Sequence, residues 1–92
     1  MKVVVLYRPQ SEHGRLVEEF INEFKQRYSD HQLEVVDVDS RQGVSMVELY
    51  GAMQYPSILV LSQDGAFVKM WSGEHLPLIS EVSYYTSQGS GV

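Results

Sequence analysis

Cysteine is absent from this sequence of 92 residues. Without a thiol, the chain can form no disulfide, no thiolate nucleophile and no zinc–thiolate site, whatever its fold. The missing cysteine therefore excludes three kinds of chemistry before any motif is considered.

Positive charge is scarce as well: Lys and Arg total 7 against 12 for Asp and Glu, and the formal net charge is -5. A chain of this sign repels a phosphate backbone instead of releasing its counterions. We expect no nucleic-acid partner.

Long hydrophobic runs are also missing. The longest apolar stretch near the start is Val3–Leu6, far shorter than a membrane span or the core of a signal peptide. We expect a cytoplasmic protein with no membrane partner.

What the sequence does contain is typical of one folded domain. Hydrophobic residues make up 43% and charged residues 21%, both close to the average for globular proteins. A chain of this length buries one modest core. We predict a single domain over residues 1–86 and a flexible tail over residues 87–92, which are mostly small and polar.

The pattern of apolar residues predicts the element order βαβαββα. Lys2–Tyr7 is a run without polar alternation, which indicates a central strand buried on both faces. Apolar residues then recur at helical spacing from Leu16 to Tyr28, with Ser11 suited to cap that helix. A helix between two strands favours a right-handed, parallel βαβ unit.

The later elements follow from similar patterns and from turn residues. They are a strand over Leu33–Val38, a short helix with Val44, Met46, Val47 and Tyr50 that ends at Gly51, a hairpin of Ser57–Leu61 and Phe67–Trp71 around Gln63-Asp64-Gly65, and a helix with Leu78, Ile79, Val82 and Tyr85.

This order, in so short a chain, resembles the thioredoxin-like fold in its minimal glutaredoxin-like form, over residues 2 to 86. Leu6–Gly14 resembles the strand, loop and helix start that bear the Cys-x-x-Cys motif, and Ser11 and Gly14 stand where the cysteines would be. The resemblance implies an α/β fold with a four-stranded mixed sheet flanked by three helices.

A second stretch carries the resemblance more specifically. Tyr50–Ser57, followed by the Asp64-Gly65 turn and Gly73, resembles the segment that leads through the cis-proline into the hairpin. The resemblance implies a cis Tyr55-Pro56 bond and a loop that lies against the motif loop. In this family the loop presents backbone groups to an extended peptide or to glutathione.

The oxidoreductase activity of the family does not carry over. A serine hydroxyl at Ser11 forms no redox couple, and Gly14 has no side chain that could resolve a mixed disulfide. Cysteines placed at both positions would restore activity only where the helix end and Pro56 still hold the family geometry.

Other chemistry-bearing residues have simpler interpretations. Ser11 and His13 could act as nucleophile and base, but side chains two residues apart in a helical turn do not face each other. His13, His31 and His75 lack the spacing of a metal site. We therefore predict no catalytic residue, no metal and no cofactor, and hence no enzyme.

Two further groups of residues have both a structural and a functional interpretation. Trp71 suits either the edge of the core or an exposed ligand platform. The acidic residues of the first helix suit a solvated face better than a docking face, because Glu23 can pair with Arg27 one turn on.

The leading hypothesis for function is a redox-inactive module that binds a protein or peptide in a shallow groove between two loops. The candidate binding residues are Arg8, Ser11, Glu12, His13, Gly14, Tyr55, Pro56 and Ser57.

Two alternatives stay open. One is a glutathione- or small-anion-binding protein, or an enzyme with non-redox chemistry, in which Arg8 and the start of the first helix contact the anion. The other is a resemblance to the thioredoxin-like clock proteins of the KaiB family, which also act by protein contact. The Asp64-Gly65 hairpin and Gly73 fit an ordinary thioredoxin better.

Overall fold

The computed structural model describes residues 1–73 and 75–88, and in this part of the chain the predicted order βαβαββα is confirmed. The elements are β1 (Lys2–Tyr7), α1 (Gly14–Arg27), β2 (Gln32–Asp37), α2 (Arg41–Tyr50), β3 (Ser57–Leu61), β4 (Phe67–Ser72) and α3 (Ile79–Gln88). Helix α3 extends to Gln88, two residues into the segment predicted as a tail, and the tail residues 89–92 lie outside the described residues.

The strand order is β2-β1-β3-β4, with β1 parallel to β2 and antiparallel to β3. The predicted central place of β1 is confirmed, because Val3, Val4, Val5 and Leu6 are all fully buried. A strand without a polar face can be accommodated only where both sides of the sheet are covered.

The alternation of side chains along β1 divides the core into two layers. Val3 and Val5 pack with Phe24 of α1 and Val82 of α3 on one face. On the other face, Val4 and Leu6 pack in a smaller cluster that α2 covers. Among the described residues, no helix is long and apolar enough to cross a bilayer.

The start of α1 differs from the prediction. Ser11 does not cap this helix: its hydroxyl donates to the carbonyl oxygen of Arg8 at 2.6 Å, within a turn that precedes the helix. His13 occupies the N-cap position and makes no capping bond with its side chain. The turn uses the serine hydroxyl locally, so the helix begins at Gly14.

Two leucines predicted on buried helical faces are exposed, Leu16 by 58% and Leu78 by 68%. They line an open groove between α1 and the beginning of α3, together with Phe20 and Pro77. The two helices contact each other without closing over this groove, and helical periodicity alone could not show that.

Several smaller predictions are confirmed. Gly51 ends α2 in the left-handed conformation with φ 68°, and Arg27 pairs with Glu23 at 3.7 Å. Of the two settings open for Trp71, the structure shows the edge of the core, where its ring lies 5.5 Å from that of Tyr85.

Candidate functional site

Two loops meet at one end of the central strands because β1 and β3 are antiparallel neighbours. β1 ends at Tyr7, β3 begins at Ser57, and Leu6 pairs with Ser57 across the sheet. The segment after β1 and the segment before β3 must therefore lie side by side. We call residues 8–13 the first loop and residues 54–57 the second loop.

The first loop is a turn held by its own backbone and by two side chains. The N–H and the hydroxyl of Ser11 both donate to the Arg8 carbonyl oxygen, at 3.1 and 2.6 Å. The Arg8 N–H donates to Nε2 of His13 at 3.4 Å. Ser11 and His13 thus stabilise the turn, whereas Glu12 is exposed.

These bonds do not form a serine–histidine pair. The Ser11 hydroxyl donates its proton to the Arg8 carbonyl, and His13 Nε2 accepts from the Arg8 amide. A nucleophilic serine requires its base as the hydrogen-bond acceptor. The described residues also contain no group of three or more His, Asp or Glu side chains that could hold a metal ion.

Gly14 is buried against the first loop, and no side chain fits there. A Cβ atom at Gly14 would lie 2.3 Å from the carbonyl oxygen of Pro9 and 3.1 Å from the carbon. A cysteine at this position would therefore displace the backbone of Pro9. Gly14 is thus a buried residue that shapes the first loop.

The second loop is fastened to the end of β4. The Tyr55–Pro56 peptide bond is cis, and the Pro56 carbonyl accepts from the Gly73 N–H at 3.0 Å. The hydroxyl of Ser57 donates to the Gln54 carbonyl at 2.5 Å and lies 3.0 Å from the hydroxyl of Ser72.

Burial divides the candidate residues of the second loop. Pro56 is buried and Ser57 is fully buried, so they hold the loop in place. Tyr55 is partly exposed and packs against the smaller core cluster. On the surface, Tyr55 and Gln54 line a depression with Ser72, Gly73 and His75, three residues outside the candidate binding set.

The two loops contact each other through Arg8 and Tyr55. The guanidinium carbon of Arg8 lies 5.9 Å from the centre of the Tyr55 ring, within the range of a cation–π contact. Of the candidate residues, these two are the ones that join the loops at the surface.

Asp39, which was not among the candidate residues, belongs to the same site. Its carboxylate accepts two bonds from the Arg8 guanidinium, at 2.9 and 3.1 Å. The sequence pattern could have indicated this contact. Arg8 follows β1, Asp39 follows the strand predicted to be parallel to β1, and the carboxyl ends of neighbouring parallel strands lie side by side.

The ion pair alters the electrostatics of the site. The hydrogen bond from Arg8 is the main cause that holds the pKa of Asp39 below its usual value, and the same bond raises the pKa of Arg8. Asp37 adds further negative charge near the guanidinium. The positive charge of Arg8 is therefore already balanced by carboxylates of this chain.

We expect the pKa of Asp39 to rise toward its ordinary value in Arg8→Gln. Because folding lowers the pKa of Asp39, its contribution to stability is present above the unfolded-state pKa and is lost as the pH falls through the folded-state pKa. Carboxyl carbon shifts followed by NMR between about pH 2 and 6 measure the titration. An unchanged midpoint in Arg8→Gln would contradict the assignment of Arg8 as the cause.

Comparison with solved structures identifies the fold. Thioredoxin 1 of Thermosipho africanus superposes with a TM-score of 0.70 and 18% identity, over 98% of this chain and 94% of that protein. Fasciola hepatica thioredoxin gives 0.71 and 17%, over 95% and 78%. Thioredoxin O2 of Arabidopsis thaliana gives 0.69 and 16%, over 95% and 72%.

The chain therefore has the thioredoxin-like fold, as its sequence predicted, and it has this fold without any cysteine. No family model matches it, and no curated protein gives a significant match. At these identities the likeness establishes the architecture alone, and function has to be argued from the site.

Proposed function

We propose that this chain is a redox-inactive, non-enzymatic thioredoxin-like module that binds an extended segment of a partner protein at its two loops. The observation that supports this most is the contact of Arg8 with Tyr55 at 5.9 Å, which joins the loops into one surface in a chain without cysteine. Peptide recognition through main-chain pairing requires no thiol.

The surface offers both side-chain and backbone contacts. Tyr55 presents a partly exposed aromatic ring beside a guanidinium, a combination common among residues that dominate binding energy. Within residues 1–73 and 75–88, the backbone N–H and C=O of Tyr55 have no hydrogen-bond partner. An extended peptide can pair with these groups from the adjoining depression.

The other candidate residues have supporting roles in this proposal. Pro56 and Ser57 hold the second loop, and Gly14 lets the first loop approach α1. Ser11 and His13 stabilise the turn that places Arg8. Direct contact with the partner falls to Arg8, Glu12 and Tyr55, which reach the surface.

The alternative of glutathione or small-anion binding has less support from the geometry. It depends on Arg8 as the anion contact, but Arg8 already forms a bidentate ion pair with Asp39. An anion would have to displace this carboxylate and approach Asp37 nearby. The balance of charge thus favours a peptide over an anion.

The proposal is tested by affinity capture from a lysate of the source organism with the wild-type chain, Tyr55→Ala and Arg8→Gln. We expect each variant to retain at least tenfold less of a specifically captured protein, because a central aromatic or arginine contact is worth about 1.4 kcal/mol or more. Leu49→Ala is the matched control, since Leu49 is 72% exposed on α2, outside both loops.

Circular dichroism of each variant separates lost binding from lost folding, because Tyr55 also packs against the core. Arg8 is exposed, so Arg8→Gln removes a contact without opening the core. Equal capture by the wild-type chain and both loop variants, or loss of capture only in Leu49→Ala, would refute the proposal.

A further inference from the structure

Strand β4 forms one edge of the sheet, and part of its backbone faces outward. The Gly73 N–H donates to the Pro56 carbonyl oxygen. Gly73 and Pro56 are therefore a hydrogen-bonded pair that continues the antiparallel ladder of β3 and β4. Hydrogen-bonded and non-hydrogen-bonded pairs alternate along such a ladder. Ser72 opposite Ser57 and Met70 opposite Leu59 are then non-hydrogen-bonded pairs, and both point their N–H and C=O groups away from β3.

The usual devices that protect a sheet edge are weak over Lys69–Ser72. A register shift opposite Val60 and Leu61 ends the regular ladder near Val68, but beyond it β4 contains no proline and no acidic residue. Lys69 is the residue that would ordinarily block pairing. Its ammonium lies instead over the rings of Trp71 and Tyr85, at 5.9 and 5.6 Å.

The charge of the edge indicates what it can accept. None of the ion pairs found among residues 1–73 and 75–88 involves Lys69, so its charge has no carboxylate partner in that part of the chain. The opposite edge, β2, carries Glu34 and Asp37. β4 is thus the positively charged edge of a chain with net charge -5.

We propose that β4 accepts an extended acidic segment of another protein as a fifth strand, paired along Lys69–Ser72. In this arrangement the outward backbone N–H and C=O groups of Met70 and Ser72 form hydrogen bonds with the incoming strand. Lys69 and Trp71 lie on one face of β4, because successive side chains alternate. A carboxylate of the incoming strand faces Lys69, and an apolar side chain two residues away packs on Trp71.

A second copy of this chain fits the same edge poorly. Its β4 offers one lysine and no carboxylate to the Lys69 of the first copy. On its β2 edge, the carboxylates of Glu34 and Asp37 already accept hydrogen bonds within that copy, from Lys2 and Gln42 and from the Asp39 N–H. The partner is therefore a different, acidic segment.

The test uses the capped peptide Thr-Glu-Val-Leu-Val-Glu-Thr, whose symmetric sequence places Glu and Leu on one face in either strand direction. Titrated into the isotope-labelled chain, it is expected to shift the NMR signals of residues 69–72. It should also slow hydrogen exchange of the Met70 and Ser72 amides, which exchange fast in the free protein, whereas the Lys69 and Trp71 amides are protected throughout. The matched peptide Thr-Lys-Val-Leu-Val-Lys-Thr should bind at least threefold more weakly.

Variants at Met70 isolate the ladder, and a variant at Lys69 isolates the charge. Met70→Pro removes an outward N–H and should abolish binding, whereas Met70→Ala keeps this N–H and should bind. Proline is tolerated at an edge strand where the N–H faces solvent, and Ser72→Pro serves if Met70→Pro fails to fold. Lys69→Gln should weaken the acidic peptide by up to about fivefold, in the range of an exposed ion pair. Arg8→Gln should leave binding unchanged, which separates this surface from the loop site, since Arg8 does not line the depression that Tyr55 shares with Ser72.

Three results would overturn the proposal. The first is equal binding of both peptides, and the second is binding without protection of the Met70 and Ser72 amides. The third is protection of these amides in the free chain that grows with its concentration, which would assign the edge to a second copy.

Discussion

Replacing Gly14 by alanine is expected to lower the free energy of unfolding by about 3 kcal/mol. The new Cβ would lie 2.3 Å from the Pro9 carbonyl oxygen, so the backbone of the first loop or the start of α1 has to move. A domain of this size has about 5–15 kcal/mol in total, so the loss is large. Urea unfolding of both proteins measures it.

Arg15→Ala is the matched control for this change. Arg15 follows Gly14 in α1, its side chain is 90% exposed, and it loses only a surface ion pair with Glu19. We expect its stability to stay within about 0.5 kcal/mol of the wild type. Equal urea midpoints for Gly14→Ala and the wild type would contradict this expectation, because the first loop would then accommodate the methyl group without loss of stability.

The same contact determines what happens when cysteines are placed at both motif positions. We expect Ser11→Cys/Gly14→Cys to be less stable than Ser11→Cys alone, by an amount similar to Gly14→Ala. It should also reduce insulin no faster than the wild type, because the second thiol cannot take its place without displacing Pro9. Faster turnover would show that the loop retains the geometry of the redox motif.

Replacing Gly43 by alanine is expected to cost about 3 kcal/mol as well. Its Cβ would lie 2.1 Å from the Asp37 carbonyl oxygen and 2.8 Å from the Cα of Val38. That carbonyl already accepts the N–H and the hydroxyl of Ser40, and the same hydroxyl accepts from the Gly43 N–H at 3.0 Å. The cap of α2 has no room for a methyl group.

The Gly43 variant should also alter the candidate site. Moving the start of α2 displaces Asp39, so we expect the NMR signal of the Arg8 side chain to shift along with the loss of stability. Ser45→Ala, at an exposed position of the same helix, should stay within about 0.5 kcal/mol of the wild type and leave the Arg8 signal in place. Stability equal to the wild type in Gly43→Ala would refute the packing argument.

Much of the fold could be predicted from local patterns. The run over Lys2–Tyr7 fits the centre of a sheet, because its apolar side chains point to both faces and both faces must be covered. Gly51 and Gly65 have positive φ where the sequence placed a helix end and a turn. Helix boundaries were less secure, since the Ser11 hydroxyl could either accept from an N–H of the helix or donate to the Arg8 carbonyl, and the bond to Arg8 forms.

The site was predictable only in part. Arg8 and Tyr55 were both candidates, and the sheet brings them together. Ser57 was expected in the groove but is buried. Its hydroxyl tolerates burial because it has hydrogen-bond partners there, the Gln54 carbonyl and the Ser72 hydroxyl. Asp39 was missed because its bond to Arg8 spans 31 residues and depends on the parallel pairing of two strands.

The sequence alone rules out thiol chemistry in this chain, since no fold can supply a missing thiol group. Through its apolar periodicity it also determined the order of strands and helices. Three properties follow only from the tertiary structure: Gly14 has no room for a side chain, Asp39 pairs with Arg8, and β4 forms an edge of the sheet in the described part of the chain. The Arg8–Asp39 pair and the place of β4 depend on pairing between strands far apart in the chain, which local preference does not set. The Gly14 contact depends on how the loop after β1 turns back onto the start of α1.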